Sequence, residues 1–333
     1  MNHPPNIRSQ AAVPNKLSKD SLRGVLLPFT TPFKSNDDLD ADGLRENILK
    51  WNKTGIVGYV ALGSTGERVN LNEREYLDVI EIARAAVPPD LAFIVGVGQQ
   101  STRGTIEEIK RATAIGGDAA LVLTPHFYKS AMTQEALVSH YRTVADNSPV
   151  PIILYSMPDL TGIKIEPHTA AQLSTHQNII GIKDSSADTD GFRETVRLTA
   201  DDFAVLVGNG TVFLDGLSAG GCGGVLAVGC VAAAACVEIY RLTQSGKEST
   251  AARIQAKLGP LALAVTKRYG ISGLKAAMDI VGFAGGCGRA PLKPASEAAR
   301  QEIAELLADI QRDESSYSES KDDEIRVTGA VKT

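Results

Sequence analysis

Eight short Val/Ile/Leu-rich runs, spaced by amphipathic stretches at the interval of repeated βα units, limit what this chain can fold into more than any other feature. They cover residues 24–29, 58–62, 92–97, 119–124, 151–155, 179–183, 204–207 and 224–228, with helical patterns such as 73–86 and 134–145 between them. Near-continuous apolar strands imply a parallel sheet covered by helices. Eight units in succession predict a (β/α)₈ barrel over residues 22–240, with a doubly wound open sheet as the alternative. Residues 250–269, 272–281 and 296–310 read as further helices, broken by Gly270 and by Gly285-Gly-Cys-Gly-Arg-Ala-Pro291. They form a C-terminal helical extension over 241–312 that covers the barrel or makes a subunit contact. Residues 1–21 read as a flexible arm. The polar, charged stretch 313–333 reads as a disordered tail.

The 333 residues are 43% hydrophobic, enough to bury a large core, and the net charge is -5 with no basic block. That excludes a polyanion-binding surface of the usual kind. Cys222, Cys230, Cys236 and Cys287 lack CxxC spacing and lie among Ala, Gly and Val, which fits reduced structural thiols better than disulfides or zinc. His126, His140, His168 and His176 are too scattered to make a metal site, and each reads as a satisfied or solvated histidine. Without a membrane-length apolar run or a secretory signal, the expected location is the cytoplasm. Arg8, Lys16 and Lys19 without an acid leave a mitochondrial alternative, which the Pro and Asn content of that stretch opposes.

If the barrel is right, chemistry belongs where strands end. Lys183 stands there, inside Asn178-Ile-Ile-Gly-Ile-Lys-Asp-Ser-Ser186. A charged ammonium is costly to bury, and a desolvated lysine gives up its proton to become an amine nucleophile that forms Schiff bases. The competing structural reading is a lysine snorkelling from the strand end or paired with Asp184. Gly63-Ser64-Thr65-Gly66 ends the second run with backbone N–H groups and two hydroxyls, a cradle for a small carboxylate or simply a turn and helix cap. Tyr155 ends the fifth run, one unit before Lys183, and offers a phenol for proton relay, or a packed core tyrosine. Tyr128, after the fourth run, has the same two readings.

Gly63-Ser-Thr-Gly-Glu67, Tyr155-Ser-Met-Pro158 and Gly181-Ile-Lys-Asp-Ser-Ser186, in this order and spacing, resemble the pyruvate-dependent class I aldolases, the family of dihydrodipicolinate synthase and N-acetylneuraminate lyase. The resemblance runs over residues 22–312. Within the family, Ser139-His-Tyr-Arg-Thr-Val-Ala-Asp146, Leu154-Tyr-Ser-Met-Pro158 and the stretch 264–275 are most similar to 4-hydroxy-2-oxoglutarate aldolase. The resemblance implies Lys183 as Schiff-base lysine, Tyr155 as proton relay, Ser64 and Thr65 as the pyruvyl-carboxylate site, and Tyr128 completing the relay in a neighbouring subunit. It also implies the backbones of Gly208 and Leu226 near the lysine and Ser185 near the distal part of the substrate.

Two departures from the family pattern stand out. Dihydrodipicolinate synthases carry an arginine for the aldehyde substrate's carboxylate where this chain has Leu160, and Phe127 stands beside Tyr128 where paired tyrosines are common. A leucine supplies no charged fork. The expected activity is therefore cleavage of 4-hydroxy-2-oxoglutarate-like 2-oxo acids to pyruvate and an aldehyde such as glyoxylate, by a homo-oligomer (dimer or tetramer) needing no metal or organic cofactor. The alternatives are dihydrodipicolinate synthase, a 2-keto-3-deoxy sugar-acid aldolase, or a catalytically silent sensor of 2-oxo acids.

Overall fold

The computed structural model describes residues 17–312. Eight parallel strands close in sequence order into one barrel: β1 (Gly24–Leu27), β2 (Gly58–Ala61), β3 (Ala92–Val97), β4 (Ala119–Leu123), β5 (Ile152–Ser156), β6 (Ile179–Asp184), β7 (Ala204–Val207) and β8 (Gly223–Val225). The doubly wound alternative is thereby excluded, since β8 pairs with β1. Around the barrel run α1 (Ala41–Trp51), α2 (Glu73–Ala86), α3 (Thr102–Ile115), α4 (Gln134–Asn147), α5 (Pro158–Thr161), α6 (Pro167–Ser174), α7 (Thr189–Leu198), α8 (Phe213–Ser218) and α9 (Gly229–Gln244). Side chains at the residue before the helix start several of them. Asp40, Asn72, Ser101, Thr133 and Asp188 each accept a backbone N–H of the first turn, and Asn72 and Glu75 do so reciprocally.

Because side chains alternate along a strand, the sheet divides the core in two. Leu26, Val60, Ile94, Leu121, Ile153, Leu206 and Val225 fill the barrel, while Phe93, Val95, Val122, Leu154 and Val205 meet the helices. β6 breaks the alternation. Ile152 pairs with Ile179 but Ile153 pairs with Gly181, a one-residue bulge at Ile180. Ile179 and Ile182 consequently both pack on the helix side, and Lys183 falls opposite Tyr155.

The extension consists of α10 (Glu248–Leu263), a π-helical turn over Ala264–Arg268, α11 (Gly270–Ile280) and a helix over residues 297–312. It is bound to the barrel through aromatic stacking of Trp51 on Phe283, ring centroids 5.1 Å apart, and through the polar network described below. Of the arm expected over 1–21, the described part is packed. Residues 17–22 lie against the barrel floor, where Leu22 is fully buried in the interior and the Lys19 ammonium donates to the Asp201 carbonyl, 2.8 Å. Residues 1–16 and the whole expected tail 313–333 fall outside the described residues. Cys222, Cys230 and Cys236 are buried, and burial pushes the first two thiols up to about 11 and about 12, so they stay protonated. Cys287 differs in being exposed. Among the described residues no helix is long and apolar enough to cross a membrane.

Candidate active site

The register of three neighbouring strands builds the centre of the site. Tyr155 on β5 pairs with Lys183 on β6, which pairs with Leu206 on β7, and Tyr155 and Leu206 belong to the barrel interior. Lys183 is 4% exposed, and its Nζ lies 4.3 Å from the centroid of the Tyr155 ring. Among the described residues no carboxylate lies within ion-pair distance of that nitrogen. The Asp184 side chain, one residue on and on the other face, accepts instead from the Ser186 N–H at 2.8 Å. Burial pushes the Asp184 carboxyl above the usual carboxylate range, against the pull of Ser186. Neither structural reading of Lys183, snorkelling or pairing with Asp184, describes it.

The Tyr155 hydroxyl is 3.0 Å from Ser64 Oγ, which joins the β5 phenol to the loop after β2. That loop is a tight turn, with Gly66 N–H donating to Gly63 O and Glu67 N–H to Ser64 O. It is flanked by two non-glycine residues in the left-handed region, Leu62 (φ 57°) and Glu67 (φ 53°). For a leucine this is a strained backbone that surrounding structure must hold. Gly96 on β3 permits the approach, because a Cβ there would lie 2.4 Å from the Leu62 carbonyl oxygen. The N–H groups of Ser64 and Thr65 donate to no protein acceptor among the described residues, and Thr65 is buried. Unpaired donors beside a buried amine suit a small carboxylate.

Ser185 follows β6, 7% exposed, with its Oγ lacking a hydrogen-bond partner. Gly208 closes the wall behind it. A Cβ on Gly208 would lie 2.0 Å from Ser185 Oγ and 3.0 Å from Lys183 Cε. Leu226 is fully buried just beyond β8, its N–H donating to the Leu26 carbonyl and its carbonyl accepting from Gly229, and no hydrogen bond joins it to Lys183. Tyr128 stands apart. It is 71% exposed, edge-on to Phe127 at 5.1 Å, and its hydroxyl has no hydrogen bond among the described residues.

Above Tyr155 and Ser64 opens a cavity of about 400 Å³, walled by Arg68, His126, Leu160 and Leu292 among others. Of the histidines, His140 is neither solvated nor fully satisfied: it is 7% exposed, its Nδ1 is 2.9 Å from Thr102 Oγ1, and its Nε2 has no partner.

Sequence reasoning passed over a polar network that supports the loop after β2 from the extension. Glu67 and Lys275 form an ion pair at 2.5 Å with side chains 1% exposed. Lys275 Nζ also donates to the Cys287 carbonyl and lies over the Phe33 ring, while Glu67 Oε2 accepts from Asn70 Nδ2 and Arg289 N–H. The Arg289 guanidinium binds Glu75 and the Asp37 and Asn70 carbonyls. Burial pulls the Lys275 ammonium below its ordinary value, opposed by Glu67. The signal that singled out Lys183, a lysine within an apolar run, was also present in Leu274-Lys-Ala-Ala-Met278.

The family model of the dihydrodipicolinate synthetase family matches residues 21–310. The chain belongs to that family. Members with similar sequences include 4-hydroxy-tetrahydrodipicolinate synthase of Methanothrix thermoacetophila, 36% identical over 287 residues that cover 86% of this chain and 96% of the relative. The enzyme of the same name from Methanopyrus kandleri is 36% identical over 290 residues, covering 86% and 94%. Among solved structures, dihydrodipicolinate synthase of Thermotoga maritima superposes with a TM-score of 0.83 at 32% identity, covering 87% of this chain and 99% of that one. A monomeric dihydrodipicolinate synthase variant superposes with a TM-score of 0.84 at 32% identity, covering 88% and 98%. The chain is thus a class I aldolase of this family, in the pyruvate-dependent lyase and synthase class. The relatives carry the synthase name rather than that of 4-hydroxy-2-oxoglutarate aldolase, to which the motifs pointed.

Proposed function

We propose that this family member cleaves 4-hydroxy-2-oxoglutarate-like 2-oxo acids to pyruvate and an aldehyde such as glyoxylate, through an imine on Lys183. The observation that carries the reading is a buried lysine with no carboxylate partner among the described residues, set over the Tyr155 ring in the barrel mouth. Lys183 Nζ adds to the C2 carbonyl and water leaves, giving a protonated imine. The substrate's C1 carboxylate rests on the free N–H groups of Ser64 and Thr65. Tyr155, hydrogen-bonded to Ser64, relays the proton of the 4-hydroxyl, accepting it while passing its own phenol proton on towards Ser64, as the C3–C4 bond breaks and its electrons move into the imine. The enamine is then protonated at C3, and water releases pyruvate. Tyr128, exposed beside Phe127, serves the relay of a neighbouring subunit, so the working enzyme is at least a dimer.

A second reading is condensation of pyruvate with aspartate semialdehyde. The relatives' names favour it over cleavage, whereas Leu160, 63% exposed in the mouth, offers that substrate's carboxylate no charge. Borohydride reduction with pyruvate should leave a reduced pyruvyl adduct, read by mass spectrometry, that Lys183→Ala abolishes. An equal adduct on the variant would move the nucleophile elsewhere. In parallel assays the cleavage reading expects a higher kcat/KM on 4-hydroxy-2-oxoglutarate than for condensation with aspartate semialdehyde, and the opposite order establishes the synthase.

A further inference from the structure

The mouth cavity has a charge asymmetry that imine formation does not use. Beyond Tyr155 its walls are largely apolar, with Val69, Leu160, Ile271 and Leu292, and two residues of formal charge line it, Glu67 and Arg68. The Glu67 carboxylate is already engaged by Lys275, Asn70 and the Arg289 N–H. Arg68 is less fully engaged. Its Nη2 binds Glu108 and its guanidinium lies over the Tyr76 ring at 5.8 Å, so the side chain is held in place and only 17% exposed. Glu108 divides its charge among three donors, accepting also from Gly98 N–H at 2.9 Å and Gln99 Nε2 at 3.3 Å. Arg68 Nε is buried without an acceptor, and Nη1 has none among the described residues.

A guanidinium that lines an apolar cavity, held in place and with N–H groups unpaired, is a poor surface for a neutral ligand and a good one for a carboxylate. Building on the imine chemistry proposed above, we infer that Arg68 takes the distal carboxylate of the substrate. The site is then selective for 2-oxo acids bearing a second acid group. In the condensation direction the same contact selects an aldehyde carrying a carboxylate. Arg68 thus supplies from the loop after β2 the charge that Leu160 does not.

The test needs imine formation but no turnover. 2-Oxoglutarate and 2-oxopentanoate have the same chain length and differ in ending in a carboxylate or a methyl group. With each, the concentration giving half-maximal borohydride trapping on Lys183 is read by mass spectrometry, with pyruvate as control. The wild type should favour 2-oxoglutarate by roughly 10- to 100-fold, the range of one charge-assisted contact. Arg68→Gln should erase that preference by weakening trapping of 2-oxoglutarate far more than that of pyruvate or 2-oxopentanoate, and Arg68→Lys should restore part of it. A wild type without the preference, a preference that survives in Arg68→Gln, or equal weakening for all three acids would overturn the role of Arg68. Absence of any adduct on the wild type would instead remove the imine reading itself.

Discussion

Two lysines are buried among the described residues, and their surroundings differ in kind. Lys275, in the C-terminal layer, is met by a carboxylate, a carbonyl and an aromatic face. Lys183, in the barrel mouth, lies over an aromatic face and has no ion pair or hydrogen bond among the described residues. A buried lysine whose nitrogen is satisfied by fixed partners has nothing left to offer a ligand, whereas one without such partners keeps its nitrogen free to react. Burial therefore does not separate a structural lysine from a chemical one. The partners do.

The contrast is broken most directly by exchanging each lysine for methionine. Lys183→Met should lower turnover by more than roughly 10³-fold, the scale of losing a covalent nucleophile, with the melting temperature unchanged or raised. Lys275→Met should instead cost about 3–5 kcal/mol of stability, because Glu67 is left buried and unpaired. Denaturant titration reads this, and the pyruvate adduct should still form under folded conditions. If Lys275→Met leaves stability intact, the network is not what fastens the extension to the barrel.

A smaller effect is expected where the site depends on shape. Gly208→Ala would drive a methyl into Ser185 Oγ and against Lys183 Cε, so kcat should fall roughly 10- to 100-fold with a stability loss of about 1–3 kcal/mol. Steady-state kinetics beside thermal melts would show it, and wild-type kinetics in this variant would mean that the β7 loop yields freely.

A third buried base sharpens the comparison by accommodating burial through neutrality. Desolvation lowers the His140 imidazole to about 4 from an ordinary value near 6.5. Between those values the unfolded chain binds the proton and the folded chain does not, so this contribution to stability is whole above pH 6.5 and lost as pH falls towards 4. Relative to pH 8, the loss at pH 5 should be about 2 kcal/mol. Since other groups also titrate, the measurement is the difference in melting temperature between wild type and His140→Gln across that range. An unchanged pH slope in the variant would show that His140 does not titrate differently on folding.

Much of the architecture was legible because each strand is a short apolar run at a regular interval, and these runs start at or within a residue of the observed strands. The placement of Lys183, Tyr155 and Ser64 at strand ends followed from barrel geometry. Other features were hidden for physical reasons. Glu67 and Lys275 lie far apart in sequence and meet only once the extension packs on the mouth. The left-handed backbone at Leu62 has no sequence cue, because leucine rarely adopts it. Arg68 reads as an ordinary charged residue after a turn until the cavity gives it a direction.

The bulge at Ile180 bears on how such a site can be transplanted. The amine proposed to form the imine is addressed by parity, since one extra residue in β6 decides whether position 183 looks into the barrel or out at the helices. Copying Lys183 and its neighbours onto a regular strand of another barrel would preserve every side chain and deliver the proposed nucleophile to the wrong compartment. The irregular residue, chemically inert itself, belongs to the smallest cassette that would carry the proposed chemistry.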